Sequence, residues 1–193
     1  MPADVSKKLF TVDEYYRMAD AGIFTEDDRV ELIEGEIIQM SPIGHRHMVC
    51  VNRATDLFIS ALKGKAVVSV HNPLRLNQYN EPQPDIVVFK WRADYYASKP
   101  YTPEDTLFVL EVSDTTLRYD TKIKLPIYAA NGISELWIEN LKEDVLLVCR
   151  HPANKTYRTQ LTLRRGDSIS PLTFSDTSFT VEDLLGIQAG RIE

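Results

Sequence analysis

Apolar and polar positions alternate along this chain with periods that change several times, and each change marks a predicted element. "TVDEYYRMADAG" opens with Thr11 and carries Glu14 three residues later, the spacing at which each side chain can satisfy the other residue's backbone N–H at a helix start. Gly22 is the natural stop. In "DRVELIEGEIIQM", Val30, Leu32, Ile37 and Met40 fall on either side of Glu34-Gly35, which predicts two short strands around a turn. "HRHMVCVNRATDLFISALKG" switches to helical spacing over roughly five turns. Met48, Val51, Leu57, Phe58 and Leu62 fit one apolar stripe, and Gly64 ends it.

Strand signals then dominate. "AVVSV", "IVVF" and "LFVLEV" are rich in β-branched and aromatic residues and are separated by stretches containing Pro and Asn. "YDTKIKLPIYAANG" reads as a helix ending at Gly132, with Pro126 either near a helix start or at a kink. "SELWIEN", "DVLLVCR" and "YRTQLTL" are further strands, and "FTVEDLLG" is a short closing helix capped by Thr180. The order of helix, strands, helix, strands, helix, strands predicts an α/β (α+β) fold with a mixed sheet flanked by helices. The 193 residues suit a single domain over 1–193, its core at about 8–185.

Composition adds limits. At 44% hydrophobic and 26% charged residues, the chain can build a core without metal or disulfides. Cys50 and Cys149 lie far apart, form no CxxC pair and argue against zinc, so a reducing, cytoplasmic setting is expected. The N-terminus lacks a secretory h-region and no apolar run approaches a membrane span, so no membrane partner is expected. A net charge of −6 argues against a general polyanion binder. The charges are uneven, however. Residues 1–36 hold four basic and ten acidic side chains, whereas residues 37–75 hold five basic ones (Arg46, Arg53, Lys63, Lys65, Arg75) against Asp56 alone. That segment is either an ordinary solvated face or a phosphate-contacting patch.

The candidate chemistry lies in acids that interrupt apolar strands. Glu111 sits in "TLFVLEVS", sharing a face with Leu107 and Val109 by alternation, with Phe108, Leu110 and Val112 opposite. An ionised carboxylate buried there costs several kcal/mol, roughly, unless it is paired or bound to metal. Asp85 stands between Pro84 and "IVVF" and is either a turn residue or a ligand. If the two strands are neighbours, the two carboxylates can meet, and hard oxygens of this kind suit Mg²⁺ or Mn²⁺. Lys124 can reach them from the next helix, although Lys122 competes and an Asp120–Lys124 helical ion pair is an alternative. Glu31 and Glu34 can each add a carboxylate or simply be solvated hairpin residues. For His45 and His47 a structural or capping role is expected, and for Trp137 a place in the core. No nucleophile elbow, P-loop or GxGxxG occurs.

"VELIEGEIIQMSPIGHRHMVCVNR", "PQPDIVVFK" and "LFVLEVSDTTLRYDTKIKLPIYAANGISELWIEN" together resemble the Uma-two family of restriction-endonuclease-like proteins, within the PD-(D/E)XK nuclease-like superfamily. The resemblance covers about residues 8 to 185. It implies a restriction-endonuclease-like core and a Mg²⁺- or Mn²⁺-dependent endonuclease hydrolysing DNA phosphodiester bonds, expected as a homodimer. It places Asp85 at the PD aspartate and Glu111 at the (D/E)XK acid, both as metal ligands. The lysine of that motif would fall at Ser113, so Lys124 is the match from the following helix. Glu31 corresponds to an upstream acidic position and His47 to a recurring one of unassigned role. The competing expectation is an inactive nucleic-acid- or protein-binding module on the same fold, motivated by the displaced lysine and the negative net charge.

Overall fold

The computed structural model describes residues 6–25 and 27–186. Helix α1 (Val12–Asp20) starts at the Thr11–Glu14 capping box, both reciprocal bonds being formed. Strands β1 (Val30–Ile33) and β2 (Glu36–Gln39) form a hairpin. Both of its turn residues, Glu34 and Gly35, have positive φ, the backbone that lets a two-residue turn follow the strands' twist. Gly35 is also needed for space, because a Cβ there would lie 2.7 Å from the Leu9 side chain.

Helix α2 (His45–Leu62) leads into the main sheet. This sheet has six strands: β3 (Ala66–Val70), β4 (Ile86–Lys90), β5 (Thr106–Ser113), β6 (Glu135–Asn140), β7 (Val145–Ala153) and β8 (Thr156–Arg164), in that spatial order. Every neighbouring pair is antiparallel except β5–β6, which is parallel. A parallel pair needs a crossover. Here it is a helical passage of α3 (Leu117–Tyr119), a π-helical turn at Asp120–Lys124 and α4 (Leu125–Ala130). Pro126 is the second residue of α4, directly after the π-helical turn, at the change of helical pitch. A small β9–β10 pair (Ser168–Ile169, Phe179–Thr180) and α5 (Val181–Leu185), capped by Thr180, close the chain.

The sheet is buried on both faces, which is why its central strands are continuously apolar. One face packs Ile86, Val88, Phe108, Leu110, Val112 and Trp137 against α2 and α5. Phe58 of α2 meets Phe108, Trp137 and Phe179 edge-on, so Trp137 is a core residue. The other face packs Val87, Phe89, Val109, Leu136 and Ile138 with Ile127 and Tyr128 of α4.

Two details of the pattern come out differently. Met48 is exposed, and the buried stripe of α2 runs through Cys50, Val51, Ala54, Phe58 and Leu62. Leu107 packs with the α2 face, not beside Val109, because the β4–β5 register shifts between Val88 and Phe89. A bulge of this kind adds a residue to one strand and reverses the alternation beyond it.

Candidate active site

The β4–β5 register pairs Ile86 with Leu110, so Asp85, one residue before β4, arrives level with Glu111 and Val112. The two segments lock reciprocally. The Asp85 N–H donates to Glu111 Oε2 at 3.3 Å, and the Val112 N–H donates to Asp85 Oδ2 at 2.7 Å. The apolar run after Asp85, buried on both faces of the sheet, holds this carboxylate in place from one side.

Lys124 completes the cluster. The α3 start, the π-helical turn and α4 run on continuously, and the wider turn at Asp120–Lys124 carries the lysine inward until it is 5% exposed. Its Nζ donates to Glu111 Oε1 at 3.1 Å and lies 3.4 Å from Glu31 Oε2. Tyr128, four residues on, donates to the same Glu111 oxygen at 2.6 Å. Glu31 on β1 is fixed from two sides, accepting the Gln83 N–H at 2.9 Å and the Tyr119 hydroxyl at 2.9 Å. The hairpin that carries it is tied to the 80–83 segment by mutual backbone hydrogen bonds between Leu32 and Glu81. Asp85, Glu111, Lys124 and Glu31 therefore converge on one spot, and Lys122 stays exposed at its edge. Asp120 instead takes the hydroxyls of Ser113 and Thr116 at 2.6 and 2.7 Å, so the simple Asp120–Lys124 ion pair is not what forms.

The protonation balance follows from burial and neighbours. Burial pushes the Glu111 carboxyl well up; Lys124 opposes this, while Asp120 and Asp85 add to it. Burial alone would lower Lys124, but Glu111, Glu31 and Asp120 outweigh it and hold the ammonium charged. At Asp85 burial is likewise overcome, here by the His47 hydrogen bond, the nearby His71 imidazole and the Val112 N–H, and its carboxyl lies below the usual range.

His47 points into the site. Gly44 is the N-cap of α2, without a side-chain cap, so the expected capping role for the histidines is replaced by a different contact. The His47 Nε2 lies 3.1 Å from the Asp85 carboxylate, and the His71 Nε2 lies 3.3 Å from Oδ1. His45 and Glu34 are exposed, as hairpin and helix-start residues often are. Sequence reasoning missed His71, Tyr128, Tyr119 and Asp120 as partners of the site. Tyr128 had a usable signal, since it lies four residues after Lys124 and thus on the same helix face.

These residues form the floor of a cleft of about 810 Å³, walled by β2 and the loop after it on one side and by the 115–124 segment on the other. None of Arg46, Arg53, Lys63, Lys65 or Arg75 lines it. Arg46 reaches Asp144, which Arg165 also holds; Arg53 donates to the Asp183 carbonyl; Lys65 faces Asp176 and Arg75 faces Asp13. The positive segment 37–75 thus spends most of its charge on acidic neighbours.

Among the described residues no group of three or more His, Cys, Asp or Glu side chains is arranged to hold a metal ion. The two adjoining carboxylates nevertheless fit a divalent cation of the Mg²⁺ type, which takes one or two carboxylates and keeps several waters.

The model of the Uma2 family, described as "Putative restriction endonuclease", matches residues 12–182. Among solved structures, the chain is similar to a putative nuclease belonging to DUF820 from Anabaena variabilis, with a TM-score of 0.72 at 17% identity over 91% of this chain and 97% of that one. At that identity the likeness is one of fold. No curated protein matches the chain.

Proposed function

The chain belongs to the Uma2 family, and from that membership and the cleft's floor we propose that it is a Mg²⁺- or Mn²⁺-dependent endonuclease hydrolysing DNA phosphodiester bonds. One observation carries the proposal: a buried lysine ammonium held between Glu111 and Glu31, beside Asp85, at the bottom of an open cleft. Buried ion clusters of this size are costly to keep for stability alone.

In this reading Asp85 and Glu111 hold the metal, whose bound state supplies Lewis-acid polarisation of the phosphate and a more acidic attacking water. The chain's own groups do the rest. Lys124 keeps its proton and offers positive charge where the phosphorane-like transition state gains negative charge. Glu31, fixed by the Gln83 N–H and the Tyr119 hydroxyl, holds Lys124 toward the cleft floor and is a positioning residue. Tyr128 restrains Glu111 from behind, leaving Oε2 on the Asp85 side. His47 restrains Asp85 in the same way, with the His71 ring beside it.

A homodimer belongs to the same proposal. The test is nicking of supercoiled plasmid by purified protein with Mn²⁺, compared with Asp85→Asn. Loss of nicking in the variant supports the reading. Equal nicking by both proteins refutes it.

A further inference from the structure

The two walls of the cleft differ in chemistry. One is apolar, with Ile38 and Met40 from β2 and its end and Ile43 from the following loop, the last 42% exposed. The other is the outer side of the 117–124 helical passage, where Arg118 and Lys122 stand four residues apart and hence on one side. Both are exposed, and among the described residues neither makes a side-chain hydrogen bond or ion pair. They contrast with the 37–75 cations, most of which are already matched to acidic side chains or carbonyls.

The floor between these walls is deep. Glu111 is only 2% exposed, so a phosphodiester reaches it by entering the cleft, not by passing across its mouth. A base-paired strand keeps its base faces stacked inside the duplex and brings a second backbone with it. It would leave Ile38, Met40 and Ile43 uncovered. An unpaired strand presents both surfaces the walls call for: a line of phosphates for the cations and free base faces for the apolar side chains.

We infer that the cleft takes an unpaired DNA strand, with phosphates along Arg118 and Lys122 and bases against Ile38, Met40 and Ile43. The inference rests on the endonuclease reading for what happens at the floor and deepens it by naming the form of the substrate. The apolar wall has no aromatic ring on which a base could stack, so base contact is aliphatic packing and tolerant of sequence.

The experiment is fluorescence anisotropy of a labelled oligo-dT and of a duplex of equal length, with Ca²⁺ present to neutralise the carboxylate floor, over a salt series. The single strand should bind about tenfold more tightly or better. Arg118→Ala combined with Lys122→Ala should flatten the slope of log K against log salt by about 1.4, at about 0.7 per lost phosphate contact on a single strand. Ile43→Ser should weaken binding and leave that slope unchanged. All three side chains are exposed, so the variants fold, which a thermal melt verifies. Duplex binding as tight as single-strand binding, an unchanged slope in the double variant, or no binding of either DNA overturns the inference. Binding is read without turnover, which separates the two claims. A protein that grips the single strand through these cations but never cuts fails the hydrolysis proposal alone. One that nicks with Mn²⁺ but shows no strand preference fails this inference alone.

Discussion

Asp85 and Glu111 hold each other through the backbone: the Asp85 N–H reaches Glu111 Oε2, while the Asp85 carboxylate takes the N–H of the residue after Glu111. The second bond makes Asp85 a structural residue as well as a candidate ligand. Asp85→Ala leaves the Val112 N–H without its acceptor, a loss of about 1–3 kcal/mol. Asp85→Asn keeps an acceptor oxygen and should stay near wild-type stability. Both variants should lose Mn²⁺-dependent nicking. Urea denaturation beside the plasmid assay tests this, and an Asp85→Asn protein as destabilised as Asp85→Ala would show that the hydrogen bond is not what the carboxylate contributes.

Lys124 is the cation on which two buried carboxylates depend. Removing one member of such a group leaves uncompensated charge, at a cost of about 3–5 kcal/mol. Lys124→Met should therefore lower stability by that order. The double variant Lys124→Met/Glu111→Gln should recover part of the loss, because the unpaired acid is gone. Chemical denaturation of the four proteins of the cycle measures the coupling. Strict additivity would mean that the two side chains do not interact in solution.

How much of this was legible in the residues varies with the physics involved. Glu111 was legible because strand alternation and burial are properties of its own neighbours, and Asp85 because Pro84 and the apolar run frame it. Lys124 was legible only as one of two candidates: the residues allowed it or Lys122 to reach the carboxylates from the next helix, and an isolated helical lysine otherwise reads as a surface residue. The π-helical turn that brings it inward has no short sequence signature, and the family resemblance is what singled it out. Leu107 was misplaced because a bulge reverses the period without changing composition. His71 was invisible for another reason. It lies just past β3 at φ 52°, and no residue pattern announces that conformation for a histidine.

The capping box of α1 makes a pH prediction. The Thr11 N–H, aided by the Lys8 ammonium, holds the Glu14 carboxyl down at about 2, against 4.5 for the ordinary group. A carboxyl depressed by folding stabilises the native state above its unfolded pKa, and the effect fades as pH falls through the folded one. Wild type should exceed Glu14→Ala in stability at neutral pH, and the gap should narrow between about pH 4.5 and 2. Denaturation series of both proteins across that window decide it. A gap independent of pH would mean that the charge on Glu14 is not what stabilises the cap.

Cys50 and Cys149 are both free and buried, and burial pushes their thiols up to about 12 and about 11. The thiolate is the reactive form, so neither should react with iodoacetamide at pH 8 in the native protein, and both should react in guanidinium. Mass spectrometry of native and unfolded samples counts the adducts. Prompt labelling of the native protein would mean that the α2 face of the sheet at Cys50, or the α4 face at Cys149, opens on the labelling time scale.

Glu139 is a buried acid in the sheet that the proposed site does not use and that, unlike Glu135 with its Trp137 and Arg150 partners, stands alone among the described residues. It lies on β6 opposite Val112, on the face packed against α2, and is fully buried. Among the described residues neither carboxylate oxygen meets a hydrogen-bond donor, and the neighbouring Cys50 thiol gives its hydrogen to the Leu185 carbonyl. Burial therefore pushes this carboxyl far up, with the Asp85 charge adding to the shift, which favours its neutral form. Even a neutral acid without partners costs about 1–3 kcal/mol when buried. Glu139→Leu, close in volume, should thus raise stability by that order. It should leave nicking unchanged, since the side chain faces α2 and does not line the cleft. A melt and the plasmid assay give both readings. If Glu139→Leu lowers stability, the carboxyl has a partner that its packing against α2 conceals, and a buried water between β6 and α2 becomes the explanation to pursue.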